Sequence, residues 1–204
     1  MPVQRITAIA LHLGCAIQQT NDIHHRLTRP RPLATMTATS HSWANNKITM
    51  ENAMTTVTVS DLPSFIGKDL GHSEWLLIDQ ERVNQFADCT GDHQFIHLDE
   101  EKAKQTPFGG TIAHGFLSLS LIPALSAGLA IRPEGLKMAV NYGLDSVRFI
   151  QPVRVGSRVR MQLTVIDVTE KNPGQWLVKS RATLEIEGVE KPAYIAETLA
   201  LYFV

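Results

Sequence analysis

The hydrophobic and polar positions change period along the chain. From residue 137 onward, the stretches "KMAVNYGLDSVRFIQPV", "SRVRMQLTVIDVTE", "QWLVKSRATLEIEG" and "AYIAETLALYFV" alternate apolar and polar residues over strand lengths. Turn residues at Val155-Gly156, Asn172-Pro173-Gly174 and Gly188 to Pro192 separate them. Upstream the pattern is helical. Asp79 can cap a helix over "QERVNQFADCT", where Val83, Phe86 and Ala87 share a face and Gly91 supplies a stop. A shorter helix is expected over "DEEKAKQT", capped by Asp99 and ended by Pro107. Ahead of these, "SDLPSFIG" reads as a short helix started by Ser60 or Asp61, and "SEWLLID" as a first strand.

Between the two regimes lies the most apolar segment, Phe116 to Ile131. It has too few polar residues for a surface helix and is expected to be buried. Helices gathered in one part of the chain and antiparallel strands in another indicate an α+β fold and not a doubly wound sheet. A curved antiparallel sheet wrapped around the apolar helix, the hot-dog architecture, satisfies this pattern economically; other α+β folds also satisfy it.

Charge divides the 204 residues differently. Residues 1–53 carry five basic groups and two acids, whereas 54–204 carry fourteen basic and eighteen acidic groups and nearly all of the strand patterning. We therefore expect an N-terminal extension over 1–53, poorly ordered and without chemistry, followed by one domain over 54–204. The extension admits three readings. Arg5 before a short apolar run resembles a secretory signal, although His12 interrupts the run and a small-residue cleavage site is missing. The acid-poor "RLTRPRPLATMTATSHSWANN" has the composition of a transit peptide. Third, translation can start later, at Met36, Met50 or Met54.

Neither region has the dense basic face of a nucleic-acid binder. Cys15 and Cys89 do not make a disulfide framework, and eight histidines without paired cysteines do not spell a zinc module. The longest apolar run, "FLSLSLIPALSAGLAI", is interrupted by serines and Pro123 and falls short of the ~20 residues that span a bilayer. No nucleic-acid or membrane partner is expected.

The candidate chemistry sits in "FADCTGDHQFIHLDEE" and "GGTIAHGFLSLS". Gly91-Asp92 can be a helix stop followed by an Asx-type turn, with His97 a polar loop residue. Alternatively, Asp92 and His97 on one loop can hold a water between them and move its proton. A metal set of Asp92, His93, His97 and His114 lacks the helical His-Glu-x-x-His arrangement, and no metal is expected. Gly-x-Ser-x-Gly and Gly-x-Gly-x-x-Gly are both absent, so a serine hydrolase or a nicotinamide site has no support. In the second stretch, a glycine loop running into a buried helix leaves backbone N–H groups free at the positive helix end. Such donors can stabilise an oxygen that gains negative charge.

Taken together, "TGDHQFIHLD" and "GGTIAHGFLSLSLIP" resemble the MaoC-like dehydratases, and in particular the branch similar to nodulation protein N. The related (R)-specific enoyl-CoA hydratases carry Gly-Asp-x-Asn-Pro-x-His, then a His-Gly pair whose glycine lies eighteen residues after the catalytic histidine. Gly91, Asp92 and His97 match the first element, and His114-Gly115 stands at the matching distance. The resemblance covers about residues 60–204. It implies a hot-dog fold, usually a homodimer, and hydration of trans-2-enoyl thioesters to (3R)-hydroxyacyl thioesters. Carried over, Asp92 and His97 activate the water and deliver its proton, and the Gly115 N–H binds the thioester oxygen. Gln94-Phe95 replaces Asn-Pro. Gln94 can still orient the pair or a water, while Phe95 loses the fixed φ of proline and adds bulk near the site. His114 is a candidate for shaping the glycine loop or touching substrate.

Two other functions compete. Many hot-dog acyl-CoA thioesterases draw a carboxylate from the central helix, but Phe116 to Ile131 contains no Asp or Glu. A non-catalytic acyl-thioester-binding accessory protein is the other. The expected partner is an acyl-CoA, with acyl carrier protein as an alternative carrier, and no cofactor beyond the CoA thioester substrate. Arg148, Arg154, Arg158 and Arg160 are either CoA phosphate contacts or ordinary outward charges. CoA thioesters are intracellular, so the expected location is cytoplasmic, or the mitochondrial matrix if the first segment is a transit peptide.

Overall fold

The computed structural model describes residues 56–204. The expected extension over 1–53, with Cys15 and the alternative start methionines, lies outside the described residues. The described chain begins with β1 (Thr56–Val57), a 3-10 turn over Val59–Phe65, β2 (Asp69–His72) and β3 (Leu76–Leu77). Helices α1 (Gln80–Thr90), α2 (Phe95–Leu98), α3 (Glu100–Ala103), α4 (Gly115–Ser120) and α5 (Ile122–Ser126) follow. The chain then runs through β4 (Arg132–Pro133), β5 (Met138–Phe149), β6 (Arg158–Asn172), β7 (Gln175–Ile186) and β8 (Tyr194–Phe203). The large sheet has the order β2-β6-β7-β8-β5, with β3 also paired to β6 and every pairing antiparallel. β1 and β4 form a separate parallel pair.

Strand alternation decides which face is buried. On β6, Val159, Met161, Leu163 and Val165 are buried, and on β7 so are Val178, Ser180, Ala182, Leu184 and Ile186. The register pairs Val159 with Ile186 and Met161 with Leu184, so these side chains form continuous apolar rows. Leu117 on α4, Leu121 at the joint and Leu125 on α5, at four-residue spacing, lie against that face in one core cluster with Tyr194 and Ala196. Each fully buried leucine contributes on the order of 2 kcal/mol. A second cluster, around Leu62, Ile131, Val165, Val168, Val178 and Tyr202, seats the 3-10 turn on the sheet. The molecule is thus an α+β hot-dog fold, a curved antiparallel sheet wrapped around an apolar helical segment.

Several elements depart from the sequence expectation. The apolar segment is two short helices and not one long one. Pro123 has no N–H to donate to the carbonyl four residues back, and Leu121 N–H makes a long 3.4 Å bond to the Ser118 carbonyl, three residues back, so the bonding pattern is interrupted at the joint. The segment is also not buried all round: Phe116 is 71% exposed, while its neighbour Leu117 is buried. The expected first strand shrinks to Leu76–Leu77, while Asp69–His72 supplies a strand that its short Asp-Leu-Gly-His pattern concealed. His97, expected on a loop, stands on the one-turn helix α2. The 3-10 turn is preceded by Thr58, not Ser60 or Asp61, and Thr58 makes no side-chain capping bond.

Candidate active site

The site is built at the end of α1. Asp79 Oδ1 accepts from the Arg82 N–H at 2.8 Å and caps the helix, whose Val83 and Ala87 are buried. The helix stops at Gly91, which takes the left-handed conformation (φ 79°) that glycine reaches without a Cβ clash. Asp92 follows at once. Its Oδ1 accepts from the Gln94 N–H at 3.3 Å, so the Asx-type turn exists, and it coexists with a place in the cluster below. One turn of α2 then carries the chain to His97.

His97 is buried, and its Nδ1–H donates to the Ile112 carbonyl at 2.7 Å. A carbonyl can only accept, so Nδ1 holds the proton and Nε2 carries the free lone pair. Burial pushes the His97 pKa below its ordinary value of 6.5; the Ile112 carbonyl opposes this, His114 adds to it, and the Asp92 charge opposes it. The result is a neutral imidazole at neutral pH with Nε2 able to accept.

The carbonyl that fixes the tautomer belongs to a braced segment. Ile112 N–H donates to the Ile96 carbonyl at 3.0 Å, Ala113 N–H to Val153 at 2.8 Å, and Val155 N–H to Thr111 at 3.0 Å. Side chains lock it further. Gln80 Nε2 donates to the His97 carbonyl at 2.7 Å, and the Thr111 hydroxyl proton is shared between two acceptors, Gln80 Oε1 at 2.7 Å and Glu100 Oε2 at 3.0 Å. The Thr111 N–H, and after it the hydroxyl, hold the Glu100 carboxyl below its usual range. α1, α2, α3 and the loop before α4 are therefore one hydrogen-bonded unit.

His114 and Gly115 complete the arrangement. His114 Nε2–H donates to the Asp92 main-chain carbonyl at 2.9 Å, and its ring stacks on His97 with centroids 3.7 Å apart and planes inclined by 28°. One ligand atom from each of Asp92, His97 and His114 lies within 4.8 Å of the others. That separation is one that a single water bridges with two ordinary hydrogen bonds. Gly115 is the first residue of α4, so its N–H has no partner within the helix. A cavity of about 300 Å³ is lined by His97, Ile112, Gly115, Ser118, Phe149 and Tyr194 among others. Asp92 is exposed and is not part of that lining.

The same three side chains could offer ligands to a metal ion. Their geometry suits proton transfer better. Stacked, nearly parallel rings direct their lone pairs side by side and not toward one point, and His97 Nδ1 and His114 Nε2 already serve carbonyls. His93, the fourth residue of the sequence-based metal set, stands apart, paired with Asp88 at 3.0 Å.

Structure thus gathers Asp92, His97, His114 and Gly115. Gln94 caps α2 by position but its side chain forms no capping bond, and Phe95, the first residue of α2, is substantially exposed. Of the four arginines, Arg154 donates to the Gly109 carbonyl, Arg158 pairs with Glu187 at 3.3 Å, and Arg160 pairs with Glu185 at 2.7 Å while lying over Trp75. Arg148 has no ion pair among the described residues. Sequence reasoning missed Gln80, Glu100 and Thr111, whose spacing carries no periodic signal, and missed Phe149 and Tyr194, which reach the site from strands distant along the chain.

A curved antiparallel sheet around a short apolar helical segment is shared with solved hot-dog dehydratases. The chain belongs to the family described as MaoC like domain, which its residues 61–187 match. It is 47% identical to 3-hydroxyacyl-thioester dehydratase Z of Mycobacterium tuberculosis over 71% of this chain and 95% of that protein. It is 42% identical to nodulation protein N of Rhizobium leguminosarum bv. viciae over 71% of this chain and 91% of that protein. Among solved structures it is similar to the (R)-hydratase from A. caviae involved in PHA biosynthesis, at 25% identity and a TM-score of 0.55, covering 66% of this chain and 94% of that one.

Proposed function

We propose that the protein interconverts trans-2-enoyl and (3R)-hydroxyacyl thioesters, with coenzyme A as the carrier. The observation that carries this reading is a buried, neutral His97 with Nε2 free to accept and a ring nitrogen within 4.8 Å of an Asp92 carboxylate oxygen, lining a cavity with the first residue of α4. Likeness to a 3-hydroxyacyl-thioester dehydratase over nearly the whole of that protein supports the substrate class.

In the hydration direction, Asp92 and His97 hold one water. Nε2 of His97 takes a proton as the water oxygen forms its bond to C3, and the electron pair of the double bond moves toward the thioester oxygen. The Gly115 N–H stabilises that enolate oxygen. The proton held on the pair then returns to C2, so one water adds and no cofactor takes part. A general acid-base contribution of about 10²–10⁴-fold fits the pair. Asp92 also closes its Asx turn, so it is held even without substrate.

A homodimer is part of this reading. β5 is the last strand of the sheet order, its outer edge is unpaired among the described residues, and Met138, Val140, Tyr142 and Leu144 are all exposed along it. A long apolar edge of this kind invites pairing with a second chain. Phe149 and Ile150 line the site cavity, and Asn141, Gly143 and Leu144 line a second cavity of about 440 Å³ beside α5, so a partner seated on β5 would roof both.

The test is hydration of crotonyl-CoA and longer enoyl-CoA thioesters, followed by loss of the conjugated enoyl absorbance, with Asp92→Asn and His97→Gln alongside. The wild type should be active and both variants should lose about 100-fold or more. Inactivity of the wild type on every chain length, or fully active variants, would refute the assignment. Release of free thiol would point to thioester hydrolysis instead.

A further inference from the structure

Resting on the hydratase reading above, we propose that His114 is a positioning residue that ties together the three working parts of the site: the Asp92 loop, the His97 ring and the Gly115 N–H. Four contacts of this one side chain and its backbone support the inference. Its Nε2–H donates to the Asp92 carbonyl across 22 residues of sequence, which anchors the loop that carries the acid. Its ring covers one face of His97 at 3.7 Å, and Phe86 packs against its own ring at a centroid distance of 5.0 Å, so the His97 imidazole cannot tilt toward that side. Its carbonyl accepts the Ser118 N–H at 3.1 Å and so starts α4, which orients the next residue, Gly115.

The remaining nitrogen makes no competing bond. His114 is 3% exposed, and its Nδ1 is buried with no hydrogen-bond partner among the described residues. The Nε2–H bond to the Asp92 carbonyl is therefore the one hydrogen bond of the side chain, and the ring's orientation rests on that bond and on its packing between His97 and Phe86.

The decisive substitutions separate donor from bulk. His114→Phe keeps a flat ring against His97 but has no donor for the Asp92 carbonyl, and His114→Leu is a second donor-free variant. In His114→Gln the amide nitrogen falls near the place of Nε2 and can restore the bond. With crotonyl-CoA, the donor-free variants should lose about 10- to 100-fold in kcat with KM changed by less than about threefold, because the group orients reacting atoms and does not grip substrate. Amide hydrogen exchange of residues 91–95 should accelerate in the same variants, and His114→Gln should bring both readouts most of the way back. Unchanged exchange and unchanged kcat in both donor-free variants would overturn the proposal, as would a His114→Gln protein no better than His114→Phe. If the wild type has no hydratase activity while loop exchange still responds to loss of the donor, the hydratase reading fails and the positioning role stands.

Discussion

Gly115→Ala probes why a glycine opens α4. The backbone there does not require one: Gly115 is absent from the residues with positive φ, and alanine favours a helical conformation over glycine by up to about 1 kcal/mol. Space is the remaining reason. A Cβ at this position would lie 3.1 Å from Cε1, 3.2 Å from Cζ and 3.4 Å from Cδ1 of Phe149. Carbon atoms settle at about 3.5–4.0 Å, so the ring must give way by roughly 0.4 Å. Phe149 is 45% exposed and can do so, and the overpacking cost of about 1 kcal/mol is largely offset by the helix preference. Net stability should therefore change by less than about 1 kcal/mol.

Activity should suffer more. The methyl group and the displaced ring both intrude on the cavity that contains His97, and misplacing reacting groups by about 1 Å can cost 100-fold, so a few tenths of an ångström should lower kcat/KM about tenfold. Phe149→Leu removes Cε1 and Cζ, the two closest atoms, so the double variant should recover most of the loss. Enoyl-CoA hydration and thermal unfolding on the four proteins complete the cycle. Wild-type kcat/KM in Gly115→Ala, or a double variant no better than Gly115→Ala alone, would show that ring and glycine are not coupled as described.

Three further outcomes follow from the structure. The His97 pKa is lowered, mainly by burial, so the acid limb of kcat/KM should fall below pH 6.5, where protonation of Nε2 removes the base. In the same window the unfolded chain binds the proton more readily than the folded one, so the His97 contribution to stability should decline as pH falls from 6.5 toward the folded value; an acid limb above 6.5 would contradict the buried neutral imidazole. Leu144→Asp on the apolar edge of β5 should convert a dimer to monomer in light scattering, and a wild-type monomer would remove the interface. Thr111→Val keeps the shape of the side chain but breaks its links to Gln80 and Glu100, and should cost about 1–3 kcal/mol in urea unfolding; no loss would mean the network contributes little.

The legible parts of the fold were those set by local periodicity and capping. Alternation over β5 to β8 marked four long strands, and Asp79, Gly91 and Asp99 marked helix ends through bonds made within a few residues. Elements held by distant partners were not legible. β2 and β3 are strands because β6 pairs with both, and α2 is a single turn tied to Ile112 by the Ile96 carbonyl and the His97 ring N–H. The break at Pro123 was visible in the sequence, but the exposure of Phe116 depends on which side of the helix the sheet covers.

The site divides along the same line. Spacing alone left Asp92 and His97 as either a turn or a working pair, and the turn is present, so local chemistry could never have separated the two. Likeness to the MaoC-like proteins chose the residues. By itself the sequence determined the α+β class, the long strands and a short set of polar candidates, because these depend on contacts within one turn or one strand. Tertiary structure decided the proton on Nδ1 of His97, the stacking of His114 on His97, the role of Thr111 as a brace and the closeness of Phe149 to Gly115. Each of those rests on a partner 11 or more residues away, and only the folded chain brings such partners within hydrogen-bonding or van der Waals reach.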